Sequence, residues 1–159
     1  MSQAYIALGS NLGNRTENLN RATFAVHAIP GTRVTAVSCI YETAPIDCPK
    51  CENFYNAVIR VETELSPKAL LGACLGIEAG MGRLRTVKNG PRVVDLDLLF
   101  YEDYEENSKE LTLPHPRLTQ RAFVLVPLLE LMPDANLRGL LKELDQSGVK
   151  LTGEQLIRP

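Results

Sequence analysis

Hydrophobic and polar positions alternate in four short stretches of the chain and recur at helical spacing in two longer ones. Residues 4–8, 34–41, 56–63 and a run that begins at Val93 are predicted strands. The second of these is apolar on both faces, which predicts a central position in the sheet. Asn14 and Ser66 are placed to cap two helices that lie between the strands. The order β-α-β-β-α-β predicts an α+β fold, with a ferredoxin-like core of a mostly antiparallel central sheet and helices packed on it.

The last third of the chain is less regular. Residues 104–110 are polar and hairpin-like, 111–117 form a loop fixed by two prolines, and 121–131 are mostly apolar. A short helix over 137–144 is predicted to close the chain as a C-terminal extension. With 159 residues and no linker or repeat, we expect residues 1–159 to form a single catalytic domain.

Composition narrows the class of protein. Hydrophobic residues make up 45% and charged residues 23% of the chain, as in ordinary globular proteins. A net charge of -2 argues against a general nucleic-acid or membrane-surface binder. The sequence has neither a run of apolar residues long enough to span a membrane nor a signal pattern, so we expect a cytoplasmic protein.

Four cysteines raise separate questions. Cys39 and Cys74 fall in a predicted strand and helix, where they fit as small core residues. Cys48 and Cys51 form a Cys-Pro-Lys-Cys turn, which supplies only half of a zinc site. Plain loop thiols are the favoured interpretation of this turn, and a redox or disulfide role is the other alternative.

Two aspartates on the fourth predicted strand carry the clearest chemistry. Side chains two residues apart share a face of a strand, so Asp95 and Asp97 lie roughly 6–7 Å apart. Val94, Leu96, Leu98 and Phe100 are expected on the opposite face, against the core. Paired carboxylates repel each other unless a cation lies between them, and oxygen ligands suit Mg²⁺. The pattern therefore favours a magnesium site over a merely solvated strand face.

Cations crowd both sides of this strand. They are Arg83, Arg85, Lys88, Arg92, Arg117 and Arg121, and His115 lies in the proline-fixed loop. Arginine pairs bidentately with phosphate, and phosphoryl-type transfer depends on positioning and on charge stabilisation. Each arginine alone could be a solvated surface residue, but the group indicates a phosphate-binding site.

Residues 88–99 resemble the signature of the 6-hydroxymethyl-7,8-dihydropterin pyrophosphokinase family of folate biosynthesis. Further stretches resemble the family in the same order along the chain: 5–13, 41–45, 54–56, 78–85, 111–115 and 121–128. The resemblance implies a transferase that moves the β,γ-pyrophosphoryl group of ATP to the hydroxymethyl oxygen of the pterin and releases AMP. It implies ATP and the pterin as partners. We expect no nucleic-acid or membrane partner, and a monomer with a weak dimer as the alternative.

The resemblance also implies roles for individual residues. Two Mg²⁺ ions are expected between Asp95, Asp97 and the triphosphate. The catalytic residues that it implies are Arg83, Arg92, Asp95 and Asp97. The implied ATP-binding residues are Glu78, Arg83, Arg85, Lys88, Arg92, Leu98, Thr112, His115 and Arg121. The implied pterin-binding residues are Thr43, Pro45, Ile46, Phe54, Asn56 and Phe123, and without the family the two phenylalanines would be interpreted as core residues.

Two other classes stay open on the residues alone. A palm-like nucleotidyl transferase also places paired aspartates on a ferredoxin-like sheet, but it needs a far more basic template channel. A non-catalytic binding module would leave the aspartates without a role. We also predict that the cation-rich segment 83–89 is a lid that orders on substrate binding, since it has few apolar anchors and glycines on both sides.

Overall fold

The computed structural model describes residues 1–45, 48, 50–82 and 91–159. The strands in these ranges are β1 (Ser2–Ser10), β2 (Thr32–Val37), β3 (Cys39–Thr43), β4 (Phe54–Thr63), β5 (Asp95–Tyr101), β6 (Glu106–Asn107), β7 (Thr112–Leu113) and β8 (Lys150–Gln155). The helices are α1 (Arg15–His27), α2 (Pro67–Gly80), α3 (Ala122–Leu131) and α4 (Ala135–Lys142), and a 3₁₀ helix spans Leu118–Gln120.

Both predicted helix caps are present. The Asn14 side chain accepts a hydrogen bond from the Glu17 amide at 3.0 Å, and the Ser66 hydroxyl accepts one from the Ala69 amide at 3.2 Å. Each cap satisfies an amide that the first helical turn would otherwise leave unpaired. Among the residues that the structure describes, no helix combines the length and the apolar character that crossing a membrane requires.

The main sheet has the order β5-β1-β4-β3-β8, with β2 also paired to β4, and every pairing is antiparallel. This arrangement confirms the predicted ferredoxin-like α+β fold. One face of the sheet packs against α1 and α2, around buried residues such as Ile6, Leu19 and Leu70. The other face packs against α3, around Val58 and Leu125.

The prediction of one central strand over 34–41 is wrong in one respect. The stretch forms two strands that are separated at Ser38, whose hydroxyl accepts the Val58 amide at 2.9 Å. Of the two, β3 lies between β4 and β8, whereas β2 pairs with β4 alone within the described residues. A register shift between Val34 and Ala36 accompanies the break. The apolar pattern could not reveal this shift, because it depends on the partner strand.

The core-facing prediction for β5 holds only as far as Leu98. Leu96 and Leu98 are buried on the α1/α2 side, as expected. Opposite Tyr5 and Ile6 the register shifts, because these neighbours pair with Phe100 and Leu98 and leave Leu99 as an extra residue. Phe100 consequently packs on the α3 side, which corrects the prediction that it shares a face with Leu98. A β-bulge of this kind re-aims every later side chain of the strand.

The C-terminal extension contains an element that the pattern did not predict. The short helix is present as α4, but a further strand, β8, follows it and pairs with β3. β8 is almost entirely exposed, so it carries no apolar alternation that could mark it as a strand. Its Glu154 carboxylate accepts a hydrogen bond from the Thr16 hydroxyl at 2.7 Å, which ties the extension to α1.

The cysteine pair of the loop after β3 forms a disulfide between Cys48 and Cys51. A zinc half-site and plain loop thiols are therefore both contradicted for this pair. Cys39 and Cys74 are free thiols. Cys74 is fully buried, as predicted, and burial raises its pKa to about 12, with smaller contributions from Glu78 and Asp97. Cys39 is only half-buried, so it is not the core residue that was expected.

Candidate functional site

A cavity of about 310 Å³ opens on the α3 side of the sheet, where β1, β4 and β5 run side by side. This volume falls in the range of small-molecule sites, which measure roughly 300–1,000 Å³. One part of the wall is charged and another is aromatic and amide-bearing. The two parts are contributed by different elements, so the cavity exists only in the folded chain.

The charged part of the wall comes from β5, from its lead-in and from the segment before α3. It consists of Arg92, Asp95, Asp97, Arg117 and Arg121. Arg92 donates to an Asp95 carboxylate oxygen at 3.0 Å. Burial lowers the pKa of the Arg121 guanidinium; Asp97 and Asp95 oppose this shift, while Arg117 and Arg92 add to it. An arginine stays protonated in proteins, so three cations and two carboxylates meet at this cavity.

The second part of the wall presents aromatic rings and an amide. Phe54, Asn56 and Phe123 line it, with Thr43 at the end of β3. The Asn56 side chain donates to the Thr43 hydroxyl at 2.7 Å, which fixes the orientation of the amide. An Asn side chain has two donor hydrogens and two acceptor sites, so this one keeps hydrogen-bonding capacity for a ligand.

Gly9 keeps this part of the cavity open. It pairs with Asn56 across β1 and β4. A Cβ at this position would lie 3.4 Å from the Asn56 side-chain oxygen and 3.6 Å from the Phe54 ring. A larger residue at position 9 would therefore occupy the space beside the amide and the ring.

Each aromatic ring has an arginine beside it. The guanidinium carbon of Arg92 lies 5.9 Å from the centre of the Phe54 ring, and that of Arg121 lies 5.6 Å from the Phe123 ring. These distances fall within the range of cation–π contacts. The two parts of the wall are therefore joined through Arg92 and Arg121, so a ligand with a flat ring and a phosphate could contact both.

His115 is fixed next to the cavity by its backbone and by its ring. Its amide donates to the Leu99 carbonyl at 3.0 Å, and its Nδ1 accepts the Arg117 amide at 3.2 Å. Nδ1 is thus an acceptor, which leaves the proton of the neutral ring on Nε2. Burial lowers the pKa of His115, and the cations Arg121 and Arg117 lower it further. The ring is therefore held neutral at physiological pH, with Nε2 as a donor.

The structure brings together eight of the site residues that the sequence indicated. They are Thr43, Phe54, Asn56, Arg92, Asp95, Asp97, Arg121 and Phe123. The predictions for Ile46, Arg83, Arg85 and Lys88, and the predicted lid over 83–89, lie outside the described residues.

Other predicted site residues lie away from the cavity wall. Glu78 is buried under β5, where its carboxylate accepts the Leu96 amide at 2.8 Å. Leu98 is buried on the same side, in the core against α1 and α2. Pro45 and Thr112 are half-buried and lie outside the lining of this cavity. The ATP-binding and pterin-binding roles of these residues stay predictions.

Two residues at or beside the cavity received no individual role from the sequence. Arg117 was noticed only as one of several nearby cations, yet it lines the cavity. Asn11 received no role, although its side chain contacts the Arg92 backbone. The signal for Arg117 is its place between His115 and Arg121. Nothing in the local pattern connects Asn11 to Arg92, because the two lie 81 residues apart.

The residues present suit a metal that is shared with a ligand. Asp95 and Asp97 reach the cavity from one strand, but the described residues contain no group of three or more His, Cys, Asp or Glu side chains that could enclose an ion. Mg²⁺ usually takes only one or two carboxylates, and phosphates and waters complete its shell. Two carboxylates beside three arginines therefore fit Mg²⁺ that arrives with a phosphate-bearing substrate.

Comparison with known proteins gives consistent matches. The family described as 7,8-dihydro-6-hydroxymethylpterin-pyrophosphokinase (HPPK) matches residues 5–133. A 2-amino-4-hydroxy-6-hydroxymethyldihydropteridine pyrophosphokinase of Methylorubrum extorquens is 43% identical over 94% of this chain and 98% of its own length. The protein of the same name from Bacillus subtilis is 40% identical over 93% of this chain and 89% of its own.

Longer proteins contain a similar region. The folic acid synthesis protein fol1 of Schizosaccharomyces pombe is 47% identical over 82% of this chain, which corresponds to only 18% of the fol1 length. A crystal structure of an HPPK-DHPS in complex with substrates has a TM-score of 0.68 and 13% identity, over 89% of this chain and 43% of that one. The wild-type HPPK-DHPS of Plasmodium falciparum with SDX-DHP has a TM-score of 0.64 at 15% identity, over 90% and 43%. These structures support the fold.

The family match covers most of the chain, and two relatives of nearly equal length exceed 30% identity. The matched range includes both parts of the cavity wall, from Gly9 to Phe123. The resemblance seen in the sequence is thereby confirmed, and with it the class of enzyme, a transferase. The chain belongs to the 7,8-dihydro-6-hydroxymethylpterin pyrophosphokinase family.

Proposed function

We propose that this protein transfers pyrophosphate from ATP to the hydroxymethyl group of 6-hydroxymethyl-7,8-dihydropterin. The products are AMP and the pterin diphosphate, an intermediate of folate biosynthesis. The observation that carries the proposal is the joint wall of the cavity, where an amide and two aromatic rings adjoin three arginines and two aspartates. A flat heterocycle and a polyphosphate would each find matching chemistry there.

The aromatic part of the wall suits the pterin. A flat polar ring gains from contact with the faces of Phe54 and Phe123. Asn56, held by Thr43, offers both a donor and an acceptor to the edge of the ring. Gly9 leaves room for that edge. These contacts would orient the hydroxymethyl group toward the charged part of the wall.

The charged part of the wall suits the triphosphate. The arginine fork pairs with phosphate oxygens, and Arg92, Arg117 and Arg121 present three forks to one cavity. Asp95 and Asp97 would hold Mg²⁺, which neutralises phosphate charge and makes phosphorus more open to attack. The neutral ring of His115 can donate from Nε2 to an oxygen of the nucleotide.

The reaction forms one bond and breaks one. The hydroxymethyl oxygen of the pterin attacks the β-phosphorus, and its proton is released to solvent. The bond between the β-phosphorus and the oxygen that bridges to the α-phosphate breaks, and AMP leaves with that oxygen. Arg92 and Arg121 would stabilise the negative charge that develops on the phosphate oxygens. Holding the two substrates in a reactive orientation would account for much of the remaining rate enhancement.

We propose further that residues 1–159 act as one catalytic domain in the cytoplasm. Its partners are then the two small-molecule substrates, with two Mg²⁺ ions as cofactors. We also propose a monomer, with a weak dimer as the alternative. The chain carries a net charge of -2, which supports a role without nucleic acid.

The proposal is tested by release of AMP from ATP. Purified protein is incubated with ATP, Mg²⁺ and the reduced hydroxymethylpterin, and AMP and pterin diphosphate are separated by chromatography. Parallel reactions omit the pterin, replace it with the 6-methyl analogue that lacks the alcohol, or contain EDTA. We expect one AMP per pterin diphosphate in the complete mixture and neither product in the others. AMP release without the alcohol, or transfer in EDTA, would contradict the proposal.

A further inference from the structure

The turn that follows β1 holds a buried asparagine with no part in the chemistry described so far. Asn11 is 1% exposed, although it lies in a turn between β1 and α1. The pairing of β1 with β5 ends at Gly9 and Asp95. Both Asn11 and Arg92 therefore lie just beyond the end of the paired strands, on the same side of the cavity.

Asn11 bonds to the Arg92 backbone in both directions. The Arg92 backbone amide donates to the Asn11 side-chain oxygen at 2.6 Å. The Asn11 backbone amide donates to the Arg92 carbonyl at 3.1 Å. The residue before Arg92 is Pro91, which has no amide hydrogen to help anchor the chain. The two bonds thus continue the attachment between the β1 end and the segment before β5 beyond the end of the sheet.

These two bonds fix the backbone of Arg92. Its guanidinium bonds to Asp95 at 3.0 Å and lies 5.9 Å from the Phe54 ring centre, so it contacts both parts of the cavity wall. A long arginine side chain keeps such a position only if its backbone is fixed. Asn11 fixes that backbone from outside the cavity, without lining it.

A second asparagine, in the first turn of α1, shows how a purely structural residue differs. Asn18 is also buried, and its side-chain nitrogen donates to the Ser10 hydroxyl at 3.2 Å and to the Leu12 carbonyl at 2.7 Å. The side-chain nitrogen of Asn11 has no hydrogen-bond partner in the part of the chain that the structure describes. A buried donor without a partner is unfavourable for the fold, so what Asn11 contributes here is the bond that its side-chain oxygen accepts from the Arg92 amide.

We infer that Asn11 is a positioning residue that acts through Arg92, and that the opening turn of the chain thereby controls the phosphate side of the cavity. The inference rests on the proposed function, because it assigns Arg92 to the transferring phosphates. Asn11 itself need not touch either substrate. Its loss should slow phosphoryl chemistry and leave the pterin pocket intact.

The test is a double-mutant cycle with a matched control. The variants are Asn11→Ala, Arg92→Ala and the pair together, and the control set replaces Asn11→Ala by Asn18→Ala. For each protein, kcat, both KM values, pterin affinity and the melting midpoint are measured. We expect Asn11→Ala to lower kcat/KM for ATP by about 10- to 100-fold, the scale of a small misplacement of a reacting group. Pterin affinity should stay within about twofold of wild type.

The cycle separates action through Arg92 from general damage. If Asn11 acts through Arg92, the double variant is no slower than Arg92→Ala alone. Asn18→Ala should lower the melting midpoint yet keep kcat. Any small effect of Asn18→Ala on kcat/KM should multiply with the effect of Arg92→Ala. Wild-type kinetics in Asn11→Ala, or effects of Asn11→Ala and Arg92→Ala that multiply, would overturn the inference.

Two further arms keep the outcome clear. If Asn11→Ala does not fold, Asn11→Ser, which keeps a hydroxyl acceptor, enters the same cycle with the same two criteria. The wild-type protein serves as the check on the proposed function. Absence of AMP release in the wild type would refute that proposal, whereas an active wild type with a multiplicative cycle would refute only the role of Asn11.

Discussion

Replacing Phe123 with alanine separates a ligand-stacking ring from an ordinary core ring. Phe123 is half-buried, packs partly on the α3-side core and presents the rest of its ring to the cavity. A phenylalanine buries about 150–250 Å² when fully covered, and less than about a third of that area is available to a ligand. At about 25 cal/mol per Å², this part of the ring contributes up to about 1–2 kcal/mol, and the ligand face that it covers adds a similar amount. We therefore expect pterin affinity to fall by about 1–3 kcal/mol, or roughly 5- to 150-fold.

The assay is calorimetric titration of the variant with the pterin in the presence of a non-hydrolysable ATP analogue and Mg²⁺. Nucleotide affinity should change little, because Arg121 keeps its charge when the ring beside it is removed. Phe100→Ala is the matched control, since Phe100 packs on the same core but does not line the cavity. Both variants should lose thermal stability, but only Phe123→Ala should lose pterin affinity. Unchanged pterin affinity in a folded Phe123→Ala protein would show that Phe123 is an ordinary core residue.

Three further predictions concern single residues. Asp97→Ala should lower kcat by orders of magnitude in Mg²⁺ assays while circular dichroism shows an intact fold; near-normal turnover would contradict the metal assignment. The pKa of His115 is lowered, so its contribution to stability is present above pH 6.5 and is lost as the pH falls through the folded-state pKa. The melting midpoints of wild type and His115→Asn should accordingly converge between pH 7.5 and 5, and a constant gap would argue against this titration. Tyr41 donates a hydrogen bond to the Glu130 carboxylate. Tyr41→Phe should therefore lower the free energy of unfolding, measured by urea titration, by about 1.5–3 kcal/mol. A loss below about 0.5 kcal/mol would show that this bond contributes little to stability.

The sequence predicts the first half of β5, which carries the two aspartates of the site, because the signals for it are local. The alternation around Asp95 and Asp97 depends only on neighbouring residues, and it places both carboxylates on one face. Gathering Phe54 and Phe123 into one cavity is a different matter, since no local pattern joins residues so far apart. That step came from the resemblance to a family, and the structure agrees with it.

What the sequence could not predict depends on pairing between distant segments. The bulge at Leu99 arises from the register against Tyr5 and Ile6, and it moves Phe100 to the other face. The last strand, β8, is held by its partner β3 rather than by an apolar face of its own. Arg117 and Asn11 gain their roles only where the fold brings them to Arg92 or to the cavity.

The ion pair between Arg92 and Asp95 links the two roles that the cavity combines. The guanidinium is a phosphate ligand by proposal and the carboxylate a metal ligand, yet in the protein alone they bond to each other at 3.0 Å. Both side chains are largely buried, with 26% and 16% exposed, so each would be costly to keep without an opposite charge. A triphosphate that arrives with Mg²⁺ brings a new partner for each of them at once. On the proposed function, a nucleotide and a metal that arrive together would exchange this ion pair for two others, and such a coupled exchange is the behaviour expected of a metal-dependent transfer.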